Sequence, residues 1–140
     1  MLNGVFELLQ VALDTRSSLT KVPTAPEWEL LFAESQKQAI VGVMAMGLER
    51  LPVEQRPPIT IILKWIGLAE MVKSRNQEMN ERCQAIEQLF SDAGFDHCIL
   101  KGQGNALLYP NPLVRQSGDI DIWVKPKTGW SIHKTVSLLK

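Results

Sequence analysis

The sequence predicts an α+β fold, a helical first part followed by a short sheet-forming part. Two observations carry this. Apolar residues recur at helical spacing up to Gly94, and beyond it short apolar runs alternate with glycine and proline. The expected division is residues 1–94 as a helical unit and 95–140 as the sheet-forming portion. A chain of 140 residues, 45% hydrophobic and 21% charged, is long enough to bury a core and does not have the composition of a disordered one.

The elements follow in order. Val5 to Leu13 is amphipathic at helical spacing, and Asp14-Thr15-Arg16-Ser17-Ser18 reads as its exit. Pro23-Thr24-Ala25-Pro26 sets up a second helix, with Thr24 or Ala25 at the cap and Pro26 in the first turn, where a missing N–H costs nothing. That helix is expected to run to about Arg50, with Leu51-Pro52 and Pro57-Pro58 bracketing the next loop. A third helix carries the clearest stripe: Ile62, Trp65, Ala69, Val72, Asn76, Met79, Cys83, Ile86 and Phe90 at alternating steps of three and four. Asn76 is the polar member of that stripe and reads either as a buried hydrogen-bond specifier or as a residue facing a packing gap. Gly94 is placed to stop the helix in a left-handed conformation.

Phe95 to Lys101 then reads as a buried strand, Asn105 to Tyr109 as a short helix, Asp119 to Val124 as a second strand, and Thr128 to Lys140 as helical. Such a partial sheet leaves strand edges unpaired, so self-association through them is expected, and the helical unit offers a surface for a protein partner.

Charge and cysteine usage narrow the function classes. Fifteen basic residues balance fifteen acidic ones, which does not suit bulk, sequence-independent nucleic-acid binding. The amino terminus has no basic region before its apolar run, and no stretch of about eighteen apolar residues occurs, so neither a secretory signal nor a membrane span is expected. Cys83 and Cys98 form no CxxC pair, which argues against structural zinc and for reduced thiols in the cytoplasm. His97 and His133 have no companion ligands, and Ser17, Ser18 and Ser131 have no base in a recognisable motif.

The chemistry is concentrated between Lys101 and Val124. In Asp119-Ile120-Asp121-Ile122-Trp123-Val124 a strand would put both aspartates on one face, their Cα atoms ~6.6–6.8 Å apart. Converging carboxylates at that spacing can hold Mg²⁺ (or Mn²⁺), and a divalent ion removes the repulsion between them. Upstream, a strand ends in Lys101-Gly102-Gln103-Gly104 and opens into a helix. Glycines there allow close backbone approach to a phosphate, and Lys101 and Arg115 add positive charge for a triphosphate.

The order Leu100-Lys101-Gly102, Tyr109-Pro110, Arg115, Gly118-Asp119-Ile120-Asp121 resembles the DNA polymerase β-like nucleotidyltransferase superfamily. Within it the likeness is to a bacterial group found in Bacteroidales-type organisms, and it extends to Glu49-Arg50-Leu51-Pro52 and Gln55-Arg56-Pro57-Pro58. The resemblance implies an NTP substrate, a hydroxyl acceptor and a metal at Asp119 and Asp121. It places Gly102 and Gln103 at the glycine pair that cradles the phosphates, with Lys101, Arg115 and Gly118 as further nucleotide-binding residues. There are two departures: Gln103 stands where a small Gly or Ser is usual, and the spacer from Gly104 to Gly118 is long. The superfamily takes a third carboxylate from a later strand. On that pattern these residues are expected to be the N-terminal part of a catalytic domain, inactive alone.

Three other readings stand beside this one. A glycosyltransferase also uses a DxD, but there the apolar strand precedes the acidic pair, whereas Ile122-Trp123-Val124 follows it here. A toxin–antitoxin or abortive-infection component would use the helical part as its partner-binding module. A purely structural helical protein would bind neither metal nor nucleotide.

Overall fold

The computed structural model describes residues 2–127 together with 133, 136 and 137. Helix α1 (Leu2–Ala12) buries Val5, Leu8 and Val11 along one face. Helix α2 (Ala25–Lys37) begins at a reciprocal cap: the Thr24 N–H donates to Glu27 Oε2 at 2.7 Å, and the Glu27 N–H donates to Thr24 Oγ1 at 3.4 Å. Helix α3 (Val41–Arg50), a 3₁₀ turn (Val53–Gln55) and the long helix α4 (Ile59–Asp92) follow.

The single helix expected from Pro26 to Arg50 is two, so the helical part holds four helices rather than three. The break has a specific cause. The Ala39 N–H donates to the Gln36 carbonyl, the Ile40 N–H donates to that of Ser35, and Ala39 takes φ 55° between them. This is the pattern of a left-handed helix stop, normally written with glycine. Asp14 (φ 60°) ends α1 in the same way, with the Thr15 N–H on the Gln10 carbonyl. Gly94 (φ 76°) follows α4, where glycine was expected to do so.

The chain divides into two compact units, Met1–Arg75 with Leu113–Gln116, and Asn76–Pro112 with Ser117–Lys140; the division falls inside α4. The first unit packs α1, α2, α3 and the start of α4 around Leu8, Trp28, Leu31, Met44, Leu48 and Trp65. Trp28 and Trp65 meet edge to face at 6.3 Å. Helices α1 and α3 cross closely: a Cβ on Gly47 would lie 2.7 Å from the Leu8 carbonyl oxygen.

In the second unit the stripe of α4 continues through buried Asn76, Met79, Cys83 and Phe90, and the Phe90 ring meets Phe95 edge to face at 5.8 Å. Strand β1 (Phe95–Leu100), helix α5 (Gly102–Ala106) and strand β2 (Asp121–Pro126) complete it. The strands are antiparallel, in register from Phe95↔Pro126 to Leu100↔Asp121.

Three expectations are corrected here. β1 is half-buried rather than buried, since alternate residues face solvent. The short helix starts at Gly102, three residues early, because the Asn105 N–H closes a turn on the Lys101 carbonyl at 2.7 Å. β2 begins at Asp121, not Asp119, because its partner β1 ends at Leu100 and no ladder partner reaches the two preceding residues. The helix expected over 128–140 lies mostly outside the described residues, as does Ser131; 133, 136 and 137 are helical. Among the described residues no helix is long and apolar enough to cross a membrane.

Candidate active site

At the end of β1 the chain turns sharply into α5, and the residue at the turn is Lys101, with φ 46° and ψ −133°. That backbone region is cheap for glycine and costs any other residue about 1–3 kcal/mol. The glycines beside it have packing reasons of their own. A Cβ on Gly104 would lie 2.9 Å from the Ile99 carbonyl oxygen, so only glycine lets α5 fold back directly on β1. A Cβ on Gly102 would lie 3.1 Å from the Asp119 carbonyl oxygen, so the backbone leading into β2 runs against the turn.

The acidic pair therefore arrives beside the strand end. Asp119 and Asp121 are both exposed, and Lys101 Nζ lies 3.8 Å from Asp121 Oδ2. At 77% and 49% side-chain exposure this ion pair is in high dielectric and adds little to stability. Its meaning is positional: a cation already stands next to one of the two carboxylates.

Asp119 sits just outside the strand, and a buried polar cluster in the same unit fixes the chain before it. Gln103 Nε2 donates to the Asn76 carbonyl at 3.3 Å and to Asn80 Oδ1. The Ser117 hydroxyl donates to Gln103 Oε1 and lies 3.0 Å from Asn76 Oδ1. So Gln103 turns its side chain inward and ties α4 to the segment two residues before Asp119. Asn76 is a hydrogen-bond specifier, one of the two readings open for it.

The remaining predicted residues are placed as follows. Gly118 is exposed, and an added Cβ there would meet nothing within 4 Å. Arg115 is half-buried and belongs to the stretch that clusters with the first unit. His97 Nε2 lies 2.8 Å from Ser91 Oγ, a hydrogen-bonded imidazole. Among the described residues no three His, Cys, Asp or Glu side chains gather into a metal-holding group. A cleft of about 520 Å³ in the first unit is lined by Glu7, Lys21, Glu27 and Leu30 among others, but both carboxylates are already engaged, Glu7 with Thr20 and Glu27 with Thr24.

Residues 24–139 match a family described as "Uncharacterised nucleotidyltransferase". The chain belongs to this family. Searches of curated proteins and of solved structures find no match. Of the predicted residues, Lys101, Gly102, Asp119 and Asp121 meet at the strand end, the glycine turn and the acidic pair. What the sequence did not reveal was the support behind them: Asn80 and Ser117 carry no motif, although Asn76 and Asn80, four apart on α4, share a face.

Proposed function

We propose that the protein transfers a nucleoside monophosphate from an NTP to a hydroxyl acceptor, using Mg²⁺ or Mn²⁺ at Asp119 and Asp121, in the manner of DNA polymerase β-like enzymes. The observation that supports this best is the meeting of the two segments: Lys101 Nζ is 3.8 Å from Asp121 Oδ2, and Gly102 abuts the backbone of Asp119. The donor set fits a hard divalent cation. Both side chains offer carboxylate oxygens, both are accessible, and an ammonium stands beside one as a cation of the right sign. Mg²⁺ commonly uses one or two carboxylates and completes its shell with water and substrate phosphates, so a pair suffices to bind it together with a nucleotide.

A cation held there supplies charge neutralisation on the phosphates and Lewis-acid polarisation at the α-phosphorus. The other roles fall to the chain. Lys101, released from Asp121, pairs with the outer phosphates. The turn at Gly102 and Gln103 contributes first-turn N–H groups, which lack intrahelical partners. Gly118 leaves the approach to Asp119 unobstructed. The acceptor hydroxyl attacks the α-phosphorus, the bond to the bridging oxygen breaks, pyrophosphate departs with the electron pair, and the hydroxyl proton passes to solvent.

The test is pyrophosphate release from NTPs by the full-length protein in the presence of Mg²⁺ and hydroxyl acceptors. Asp119→Asn and Asp121→Asn remove it while leaving the circular dichroism spectrum unchanged, because both side chains are exposed. Undiminished release by both variants would sink the assignment.

A further inference from the structure

The antiparallel register sorts the sheet of the second unit into two faces. Phe95, His97 and Ile99 with Ile122, Val124 and Pro126 form one, and these side chains are buried or half-buried. The other carries Asp96, Cys98 and Leu100 opposite Lys125, Trp123 and Asp121, and every one of these six is exposed. Trp123 is the largest of them, at 48% exposure, and its cross-strand neighbour is the small Cys98. Along β2 the face reads carboxylate, indole, ammonium, at steps of two residues or ~6.6–6.8 Å.

A bare indole on a strand, one same-face step from Asp121, is an unusual use of a tryptophan. Trp is strongly hydrophobic, and its flat ring presents a π-face suited to stacking. The neighbours indicate what stacks on it. Asp121 and Lys101 offer a cation site and a phosphate partner at one end of the row, and the cross-strand pair Lys125 and Asp96 offers a donor and an acceptor at the other. A molecule that is anionic at one end and a flat heteroaromatic ring one sugar away matches that order, and a nucleotide has this construction.

We infer that Trp123 is the stacking platform for the nucleobase of the bound NTP, which makes it a binding residue for the donor substrate. This rests on the nucleotidyltransferase reading and deepens it. Stacking on an aromatic ring is tolerant of base identity, because every base has a π-face, and its loss on alanine substitution amounts to about 5- to 150-fold in affinity.

The experiment is titration calorimetry with Mg²⁺, using each of the four NTPs and inorganic tripolyphosphate, on the wild type and on Trp123→Phe, Trp123→Leu and Trp123→Ala. The expected result is NTP binding retained by the Phe variant and weakened about 5- to 150-fold in the Leu and Ala variants, with tripolyphosphate affinity the same throughout. Leu retains apolar bulk without a π-face, so NTP binding undiminished in Trp123→Leu would overturn the inference and make the indole an apolar cover. An equal loss for tripolyphosphate and NTPs would overturn it too, as damage to the strand. If the wild type bound neither ligand, the nucleotide site itself would fall, and Trp123 with it. If the wild type bound both and Trp123→Ala changed nothing, the site would stand and only the platform would fall.

Discussion

Lys101 holds a left-handed backbone conformation at φ 46° while its side chain contributes only a solvated ion pair. Asp14 and Ala39 also hold positive φ, at helix ends, so such a conformation is not by itself a mark of function. At Lys101 the strained residue stands beside Asp121. Replacing it with glycine relieves the strain but adds chain entropy to the unfolded state, for a net gain of about 1 kcal/mol. Lys101→Gly is therefore expected to unfold at higher denaturant concentration and yet bind Mg²⁺–NTP more weakly. A variant that is less stable would show that the ion pair matters structurally, and one that binds normally would remove Lys101 from the site. The place of Lys101 at the strand end before Gly102 was legible in the sequence; its strain was not, because a left-handed lysine carries no local signal. Gln103 is a different case. By resemblance it is a departure at a phosphate-cradling position, whereas its amide is occupied with Asn76, Asn80 and Ser117. Three tertiary partners far apart in sequence cannot be inferred from the Gln itself.

Among the elements, the long helix was the most legible. All nine of its predicted stripe positions, from Ile62 to Phe90, lie on the buried or half-buried side of α4, since a repeat of three and four specifies one face whatever it packs on. Ends were harder. The stop between α2 and α3 uses Ala39 where glycine is usual, so nothing marked it. An L-residue there costs about 1–2 kcal/mol, offset by glycine's greater unfolded entropy, so Ala39→Gly is expected to stabilise the protein by about 0.5–1 kcal/mol in chemical denaturation. A destabilised variant would mean that the Ala39 methyl group contributes packing that outweighs its conformational cost. The start of α2 was plain, and it makes stability pH-dependent. The Thr24 N–H and hydroxyl, with Lys21 beside them, hold the Glu27 carboxyl below its ordinary range, and Thr20 with Arg16 does the same for Glu7. A depressed carboxyl contributes stability above its unfolded value, about pH 4.3, and loses it as pH falls through the folded value. The melting temperature is thus expected to drop on acidification below about pH 4.3. Glu27→Gln keeps an acceptor for Thr24 without a proton to take up, and should show a shallower drop; an unchanged slope would exclude Glu27 as a contributor.

At the scale of the molecule, the α+β reading follows from the change of pattern at Gly94, and the family match runs across both parts, from residue 24 to 139. The two-stranded sheet is small because the ladder stops where Lys101 turns the chain, and that stop leaves Asp119 off the strand. A sequence pattern can place two aspartates on one strand face, but it cannot say that the partner strand ends before the first of them. The fixing of Asp119 passes instead to the Gly102 contact and the Ser117 cluster. With two carboxylates and no third metal-holding side chain beside them among the described residues, Mg²⁺ and nucleotide should each bind weakly alone and strongly together. The most direct measurement is calorimetric titration of ATP into the protein with and without Mg²⁺, repeated on Asp119→Asn and Asp121→Asn. Binding that requires Mg²⁺ and disappears in both variants is the predicted result. ATP binding that ignores Mg²⁺ and survives both substitutions would contradict the account, because the acidic pair would then have no part in holding the nucleotide.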